Sequence, residues 1–180
     1  MVRPANTRAI ELQTETSWEE WCAFLDAARG PTLDHNALVR KTREFRAVSG
    51  WWAQEIAVAY EQHIGRRKPG QTCDGLFSAS LSRTINGDIE VLHKTWCDFA
   101  NELTTFDGQT FLEAPKTSAT PKRLYWRCRF ADKSAAVVSM EVKSNAKVLV
   151  VVEHNKLLQE TQIAAKKQAW SDLFATCFSL

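Results

Sequence analysis

Three consecutive runs of alternating apolar and polar residues constrain the fold of this 180-residue chain more than any other feature. The runs read KRLYWRCRF, SAAVVSMEV and AKVLVVVEH, at residues 122–130, 134–142 and 146–154. Alternation is typical of strands with one buried face, and the short turns at Ala131-Asp132-Lys133 and Ser144-Asn145 favour an antiparallel meander. Such a sheet needs a cover on one face, and the amphipathic helix predicted from Leu158 to Phe178 can supply it.

The preceding part of the chain has a helical pattern, and residues 16–70 are predicted to form a three-helix domain. A capping box begins the first helix, Asp34 and Ser49 begin the other two, and Gly65 ends the third. We place that box at Thr16, with Glu19 three residues later. Residues 1–15 are polar and without periodicity, which predicts a loose N-terminal arm.

Residues 76–180 are predicted to form a second domain. A strand over 77–84 is followed by a helix over 88–103, by a short strand over 110–113, by the meander and by the long final helix. The fold class is therefore α+β. The acidic side chains of Asp98, Glu102 and Asp107 are expected at a solvated helix end.

Charge and cysteine content exclude several classes of function. The net charge is only +2 with both signs interleaved, whereas nucleic-acid binding needs a concentrated basic face. Five scattered cysteines without a C-x-x-C pair predict neither a disulfide framework nor a zinc site, and we expect no metal and no cofactor. Without a signal-like or membrane-spanning apolar run, the predicted compartment is the cytoplasm.

Two family resemblances follow from particular motifs. Over residues 16–68 the chain resembles a bacterial family of short helical domains of unknown function, and the pattern falls on Trp21, His35, Trp51, Trp52, Gln54, Tyr60, Glu61, Gly65 and Arg67. Residues 76–180, through SLSRTINGDIEVLHKTWCD and the three later runs, resemble a shortened START-like (SRPBCC) domain of the heat-shock-protein ATPase activator-like kind. That resemblance implies a helix-grip fold, which usually holds an apolar ligand between the long helix and the sheet.

A row of inward-facing side chains gives the candidate ligand site. The candidates are Trp126, Cys128, Met140, Val150, His154 and Trp170. Two interpretations remain open: these side chains line a ligand cavity, or they fill an ordinary core, and sequence alone does not report a void. His154 is the one titratable group expected near the cavity mouth, where it could act as an acid or base or simply pack at a strand end.

The tandem tryptophans of the third helix give the candidate docking surface. Neighbours on a helix lie about 100° apart, so Trp51 and Trp52 point into different sectors. With Val58 and Tyr60 they widen the apolar face beyond what a three-helix core needs, which favours docking against the second domain, a protein partner or a second copy.

The sequence favours a noncatalytic protein that binds a small apolar ligand or a protein partner, and no catalysis is expected. Two alternatives stay open. One is a cyclase-like or hydrolase-like enzyme that uses the grip cavity. The other, implied by the resemblance alone, is a co-regulator of a chaperone ATPase.

Overall fold

The structure is a computed structural model that describes residues 4, 6–144 and 146–179. Its backbone contacts divide the chain into two compact units, residues 1–69 and 70–180. The fold is α+β, with helices first, then an antiparallel sheet and a long C-terminal helix. No helix in these described ranges is long and apolar enough to cross a membrane.

Helices make up the first unit. Their bounds are α1 Thr7–Thr14, α2 Trp18–Ala27, α3 His35–Phe45 and α4 Gly50–His63, with a 3₁₀ turn at Gly30–Thr32. The first of them corrects the expectation of a loose arm over residues 1–15, because Ile10 is fully buried. One buried apolar residue makes no stripe, so no helical periodicity marks this segment. Residues 1–3 and 5 of the predicted arm lie outside the described residues.

Side-chain caps set where the helices begin. Asp34 and Ser49 cap α3 and α4 as predicted, each accepting a hydrogen bond from a backbone N–H of the first turn. The capping box of α2 is formed by Ser17 and Glu20, one residue later than predicted. Trp18, the first residue of the helix, is buried together with Trp21 and Leu25.

The core of the first unit draws on all four helices. Its fully buried members include Ile10, Trp21, Leu25, Leu38, Ile56 and Tyr60. Phe45 closes one side, stacking on Phe24 with ring centroids 4.2 Å apart. Burying large apolar side chains supplies most of the folding free energy of so small a unit.

The second unit is a five-stranded antiparallel sheet with two helices. The strands are β1 Phe77–Asn86, β2 Thr105–Phe106, β3 Gln109–Thr110, β4 Lys116–Ala119, β5 Arg123–Arg129, β6 Ala135–Ser144 and β7 Lys147–Leu157, and the helices are α5 Ile89–Asn101 and α6 Gln162–Phe178. The strand order is β1-β7-β6-β5-β4, with β2 and β3 forming a separate hairpin. The predicted meander is confirmed as β5, β6 and β7. Asn145, half of its second predicted turn, lies outside the described residues.

The two faces of the sheet differ as the alternation predicts. On β5, Trp126 and Cys128 are buried, whereas Arg127 and Arg129 are exposed on the other face. Helices α5 and α6 cover the buried face, and their aromatic side chains enter the same core. A long helix packed on an antiparallel sheet in this way is the helix-grip arrangement.

The short β2–β3 hairpin replaces the strand predicted over 110–113. Asp107 and Gly108 form its turn, both with positive φ, as a two-residue type I′ turn requires. Asp107 therefore lies at a hairpin tip and not at a solvated helix end with Asp98 and Glu102. The side chain of Phe106, one residue earlier, is buried.

Candidate functional site

The structure brings the six predicted cavity residues together in one core. Strand pairing sets Cys128 of β5 opposite Ala136 of β6, and Met140 of β6 opposite Val150 of β7. All six side chains are buried, and the apolar ones belong to one hydrophobic cluster between the sheet and the helices. Their predicted inward orientation is thus observed.

Aromatic rings occupy much of the space between the sheet and α6. Trp96 of α5 lies at the centre, with its ring centroid 5.4 Å from Trp126, 6.1 Å from Trp170 and 5.4 Å from Phe174. Edge-to-face pairs of this kind stabilise a core beyond the apolar area they bury. The indole N–H groups of Trp96 and Trp126 are buried without a hydrogen-bond acceptor among the described residues.

A chain of hydrogen bonds crosses this core at His154. The indole Nε1 of Trp170 lies 3.0 Å from His154 Nδ1, and His154 Nε2 lies 2.9 Å from Ser134 Oγ. Ser134 Oγ in turn lies 2.6 Å from Asp132 Oδ1. We call these four residues the His154 relay; it ties α6 to β7 and to the β5–β6 turn.

The direction of each hydrogen bond in the relay follows from its end groups. An indole N–H can only donate, so His154 Nδ1 is the acceptor and carries no proton. Burial lowers the pKa of His154 to about 4, and the nearby charge of Lys166 adds to this effect, so the ring is neutral at pH 7. Its proton is on Nε2, which donates to Ser134. The Ser134 hydroxyl donates to Asp132.

This polarity is the reverse of a nucleophilic serine pair. A catalytic base presents a free nitrogen lone pair to the serine hydroxyl, whereas His154 presents an N–H to Ser134. The Asp132 carboxylate contacts the serine and not the imidazole. Hydrogen bonds from the Ser134 side chain and backbone outweigh burial and keep the pKa of Asp132 below its ordinary value.

The β2–β3 hairpin lies over the relay through Phe106. The Phe106 ring centroid is 4.3 Å from that of Trp170, 5.7 Å from that of Phe130 and 6.1 Å from that of His154. Beside it, Lys166 Nζ donates to Asp107 Oδ2 at 2.8 Å and lies 5.5 Å from the Phe106 ring centroid. We call Phe106, Asp107 and Lys166 the hairpin latch.

Sequence reasoning missed the latch, although one signal was present. The Asp107-Gly108 dipeptide is a strong two-residue turn signal. Strands of two residues, however, are too short to show alternation. Lys166 gave no signal at all, since a buried lysine is rare and its burial depends on distant residues.

The docking candidates of α4 fall in different environments. Trp51 is 62% exposed, while Trp52 and Val58 are half-buried. Trp51 and Trp52 contact each other edge to face, with ring centroids 4.5 Å apart. Tyr60 departs from the expectation: it is fully buried in the first unit, and its hydroxyl donates to Asp26. Its ring is needed to fill the helical core, so it offers no docking surface.

A second set of motif residues forms an ionic cluster around Glu61. The Glu61 carboxylate, 5% exposed, accepts from Arg66 at 2.7 Å and from Arg67 at 2.6 Å. His35 Nδ1 lies 3.2 Å from the same carboxylate, and His35 Nε2 lies 2.6 Å from Gln54 Oε1. The common partner of the two arginines is thus a buried carboxylate that joins α3, α4 and the following loop.

Comparison with known proteins supplies no family for the chain. No family's sequence profile matches it, and no curated protein matches it. The resemblance of residues 16–68 to a helical family therefore stays a prediction.

Solved structures give remote likenesses. DynU16, from the dynemicin biosynthetic locus, is 10% identical with a TM-score of 0.40, and the match covers 57% of this chain and 46% of that one. CalU16 of Micromonospora echinospora is 11% identical (57% and 73% covered, TM-score 0.39). Protein CV1439 of Chromobacterium violaceum is 10% identical (57% and 96% covered, TM-score 0.42). The match thus spans less than half of the DynU16 chain, and likenesses this remote carry no conclusion about activity.

Metal-binding groups and thiols among the described residues bear on the chemistry of the site. Histidine, cysteine and acidic side chains do not gather in threes as a metal site anywhere in the described ranges. Burial raises the pKa of Cys128 to about 12, so this thiol is no nucleophile at neutral pH. The site therefore consists of an aromatic wall, crossed by the His154 relay and covered by the β2–β3 hairpin.

Proposed function

We propose that the second unit is a noncatalytic binding domain that holds a small molecule between the sheet and α6. The observation that carries this proposal is the position of Phe106. Its ring lies on a wall of Trp170, Phe130 and His154 that the sheet and α6 hold in place. Phe106 itself comes from a hairpin of two residue pairs. A ring that lies on a rigid wall but is held by a short hairpin can be exchanged for a ligand ring.

The polarity of the His154 relay favours binding over catalysis. Both imidazole nitrogens are engaged, and the ring is neutral and buried. A general base needs a free lone pair within reach of its substrate. The relay instead fixes the orientation of Trp170 and thereby the shape of the wall. The role of chaperone co-regulator stays a prediction from the resemblance.

A neutral aromatic probe tests this function. We expect 2-naphthylacetamide to bind the purified chain weakly and to bind a Phe106→Ala variant about tenfold or more tighter, because the truncation leaves an apolar cavity against the wall. Native mass spectrometry gives the stoichiometry, and tryptophan fluorescence gives the affinity. Phe99→Ala, a truncation on the far helix α5, is the matched control and should bind like the parent. Absence of binding to both the parent and Phe106→Ala refutes the function.

For the first unit we propose that Trp51 contacts another protein. We also propose that the chain works in a reducing cytoplasm, where its five free thiols stay reduced. The helical unit leaves 62% of Trp51 exposed, so most of this apolar side chain is free to contact another protein. Tryptophan is enriched at interface hot spots. Trp51→Ala should leave helix content unchanged and weaken self-association or partner capture. Leu12→Ala, another exposed apolar position, is the control. Equal association by the parent and both variants would contradict the role.

A further inference from the structure

The hairpin latch indicates which molecule the binding unit takes. We propose that the ligand is a small aromatic carboxylate, whose ring replaces Phe106 on the wall and whose carboxylate replaces Asp107 on Lys166. The Phe106-Asp107 dipeptide then acts as a built-in competitor that covers the site while the ligand is absent. This inference rests on the proposed binding function and specifies its ligand.

The ring half of the latch matches an aromatic group. Phe106 contacts Trp170 at a centroid distance of 4.3 Å with an interplanar angle of 31°, and Phe130 at 5.7 Å with an angle of 34°. Both contacts are tilted ring pairs, and their short centroid distances place the rings in direct contact. His154 stacks on the other ring of this wall, Phe130, at 5.1 Å and 11°. An aliphatic ligand would forgo these contacts, whereas a planar ring would keep them.

The charged half of the latch matches a carboxylate. The Lys166 side chain is only 7% exposed, while that of its partner Asp107 is 42% exposed. A buried cation left without an acid partner is costly, so an occupant that displaces Asp107 has to bring a negative charge of its own. The Asp132 carboxylate also interacts electrostatically with Lys166. Its Oδ1, however, already accepts hydrogen bonds from the backbone N–H and the hydroxyl of Ser134. A neutral ligand would leave the buried ammonium uncompensated.

The two halves are adjacent, which limits the size of the ligand. Lys166 Nζ lies 2.8 Å from Asp107 Oδ2 and 5.5 Å from the centroid of the Phe106 ring. The ligand ring and its carboxylate therefore have to be joined by a short linker. A long-chain acid with a distant ring would not satisfy both positions at once.

Displacing the hairpin breaks few backbone contacts: its own strand pairs and the hydrogen bond that the Ala131 N–H donates to the Thr110 carbonyl oxygen at 3.0 Å. Its strands pair only as Thr105 with Thr110 and Phe106 with Gln109. Its tip is solvent-exposed at Asp107 and Gly108, where a type I′ turn can swing outward as a unit. The ion pair on Lys166 is exchanged for one of the same kind, so the number of buried charges is unchanged.

The test compares 2-naphthylacetate with its neutral isostere 2-naphthylacetamide on the full chain, by calorimetry and tryptophan fluorescence. We expect the acid to bind about tenfold or more tighter than the amide, since one charged hydrogen bond distinguishes them. This preference should disappear in Lys166→Met. It should persist in Lys167→Met, the exposed neighbour on the same helix. Asp107→Asn should tighten both probes and keep the acid preferred, because it weakens the Asp107–Lys166 contact that either probe has to displace.

Each outcome bears on one level of the proposal. Equal affinity for acid and amide overturns the aromatic-acid assignment and leaves the binding function standing. A preference for the acid that survives Lys166→Met also overturns it. If Lys166→Met fails to fold, Asp107→Asn decides on its own, with Asp98→Asn as the exposed control: an unchanged acid affinity rejects the latch. If neither probe binds to the parent or to Phe106→Ala, the proposed function itself fails.

Discussion

Acidification should destabilise the second unit through His154. The folded-state pKa is about 4 and the ordinary value is 6.5, so the unfolded chain takes up the proton first. The stabilisation is therefore complete above about pH 6.5 and is lost as the pH falls towards 4. Between about pH 7 and pH 4.5 this one group should remove roughly 2–3 kcal/mol of unfolding free energy, at about 1.4 kcal/mol for each unit of pKa difference.

His154→Gln isolates this contribution. Glutamine can still accept from Trp170 and donate to Ser134, but it does not titrate, so the variant should begin less stable at pH 7 and lose less on acidification. Carboxylates that do not interact with His154 contribute equally to both proteins and cancel in the comparison. The difference in unfolding free energy between parent and variant should narrow by roughly 2–3 kcal/mol.

Two measurements check this prediction. Amide hydrogen exchange along β7, at the two pH values, gives the free energy of opening where the histidine lies. Proton NMR of the His154 ring gives its titration midpoint directly. A midpoint near 6.5, or a parent and variant that lose equal stability on acidification, would contradict the buried, neutral relay.

Three further substitutions test the packing. Ile10→Ala should cost about 2–5 kcal/mol in chemical unfolding, while the exposed Leu12→Ala on the same helix should cost less than about 0.5 kcal/mol; equal effects would contradict a docked α1. Glu61→Ala should lower the unfolding free energy by roughly 3–5 kcal/mol, because it leaves two arginines without their carboxylate partner. If high salt removed the difference in stability between parent and variant, the cluster would be a solvent-screened surface feature and not a buried one. Gly70→Ala should lower Tm more than Gly65→Ala. Both glycines have φ +75°, but only at position 70 would the new Cβ meet a side chain, at 2.7 Å. Similar losses of Tm in the two variants would argue against that contact.

Elements with their own local signals could be predicted from the sequence. Asp34 and Ser49 cap helices where the pattern placed them, because capping is a contact between near neighbours. The inward faces of β5 and β7 followed from alternation. The strand β4 did not: all four residues of Lys116–Ala119 are exposed, so no apolar periodicity marks them.

Features that depend on distant partners could not be predicted. The inward direction of His154 was visible, but its donor Trp170 and its acceptor Ser134 lie 16 and 20 residues away and meet it only in the folded sheet. The same holds for Lys166 and Asp107, which are separated by 59 residues. The capping box of α2 was predicted one residue too early, at Thr16 instead of Ser17.

The pairing of β1 with β7 fixes when this chain can fold during its synthesis. Asn86, at the end of β1, pairs with Lys147, at the start of β7. At ordinary rates of translation the ribosome needs roughly 3–12 s to make the residues between them. Throughout that interval β1 has no partner, whereas the helices of the first unit are already complete. The helical unit should therefore form first, and the grip should close only when the last strand and α6 emerge.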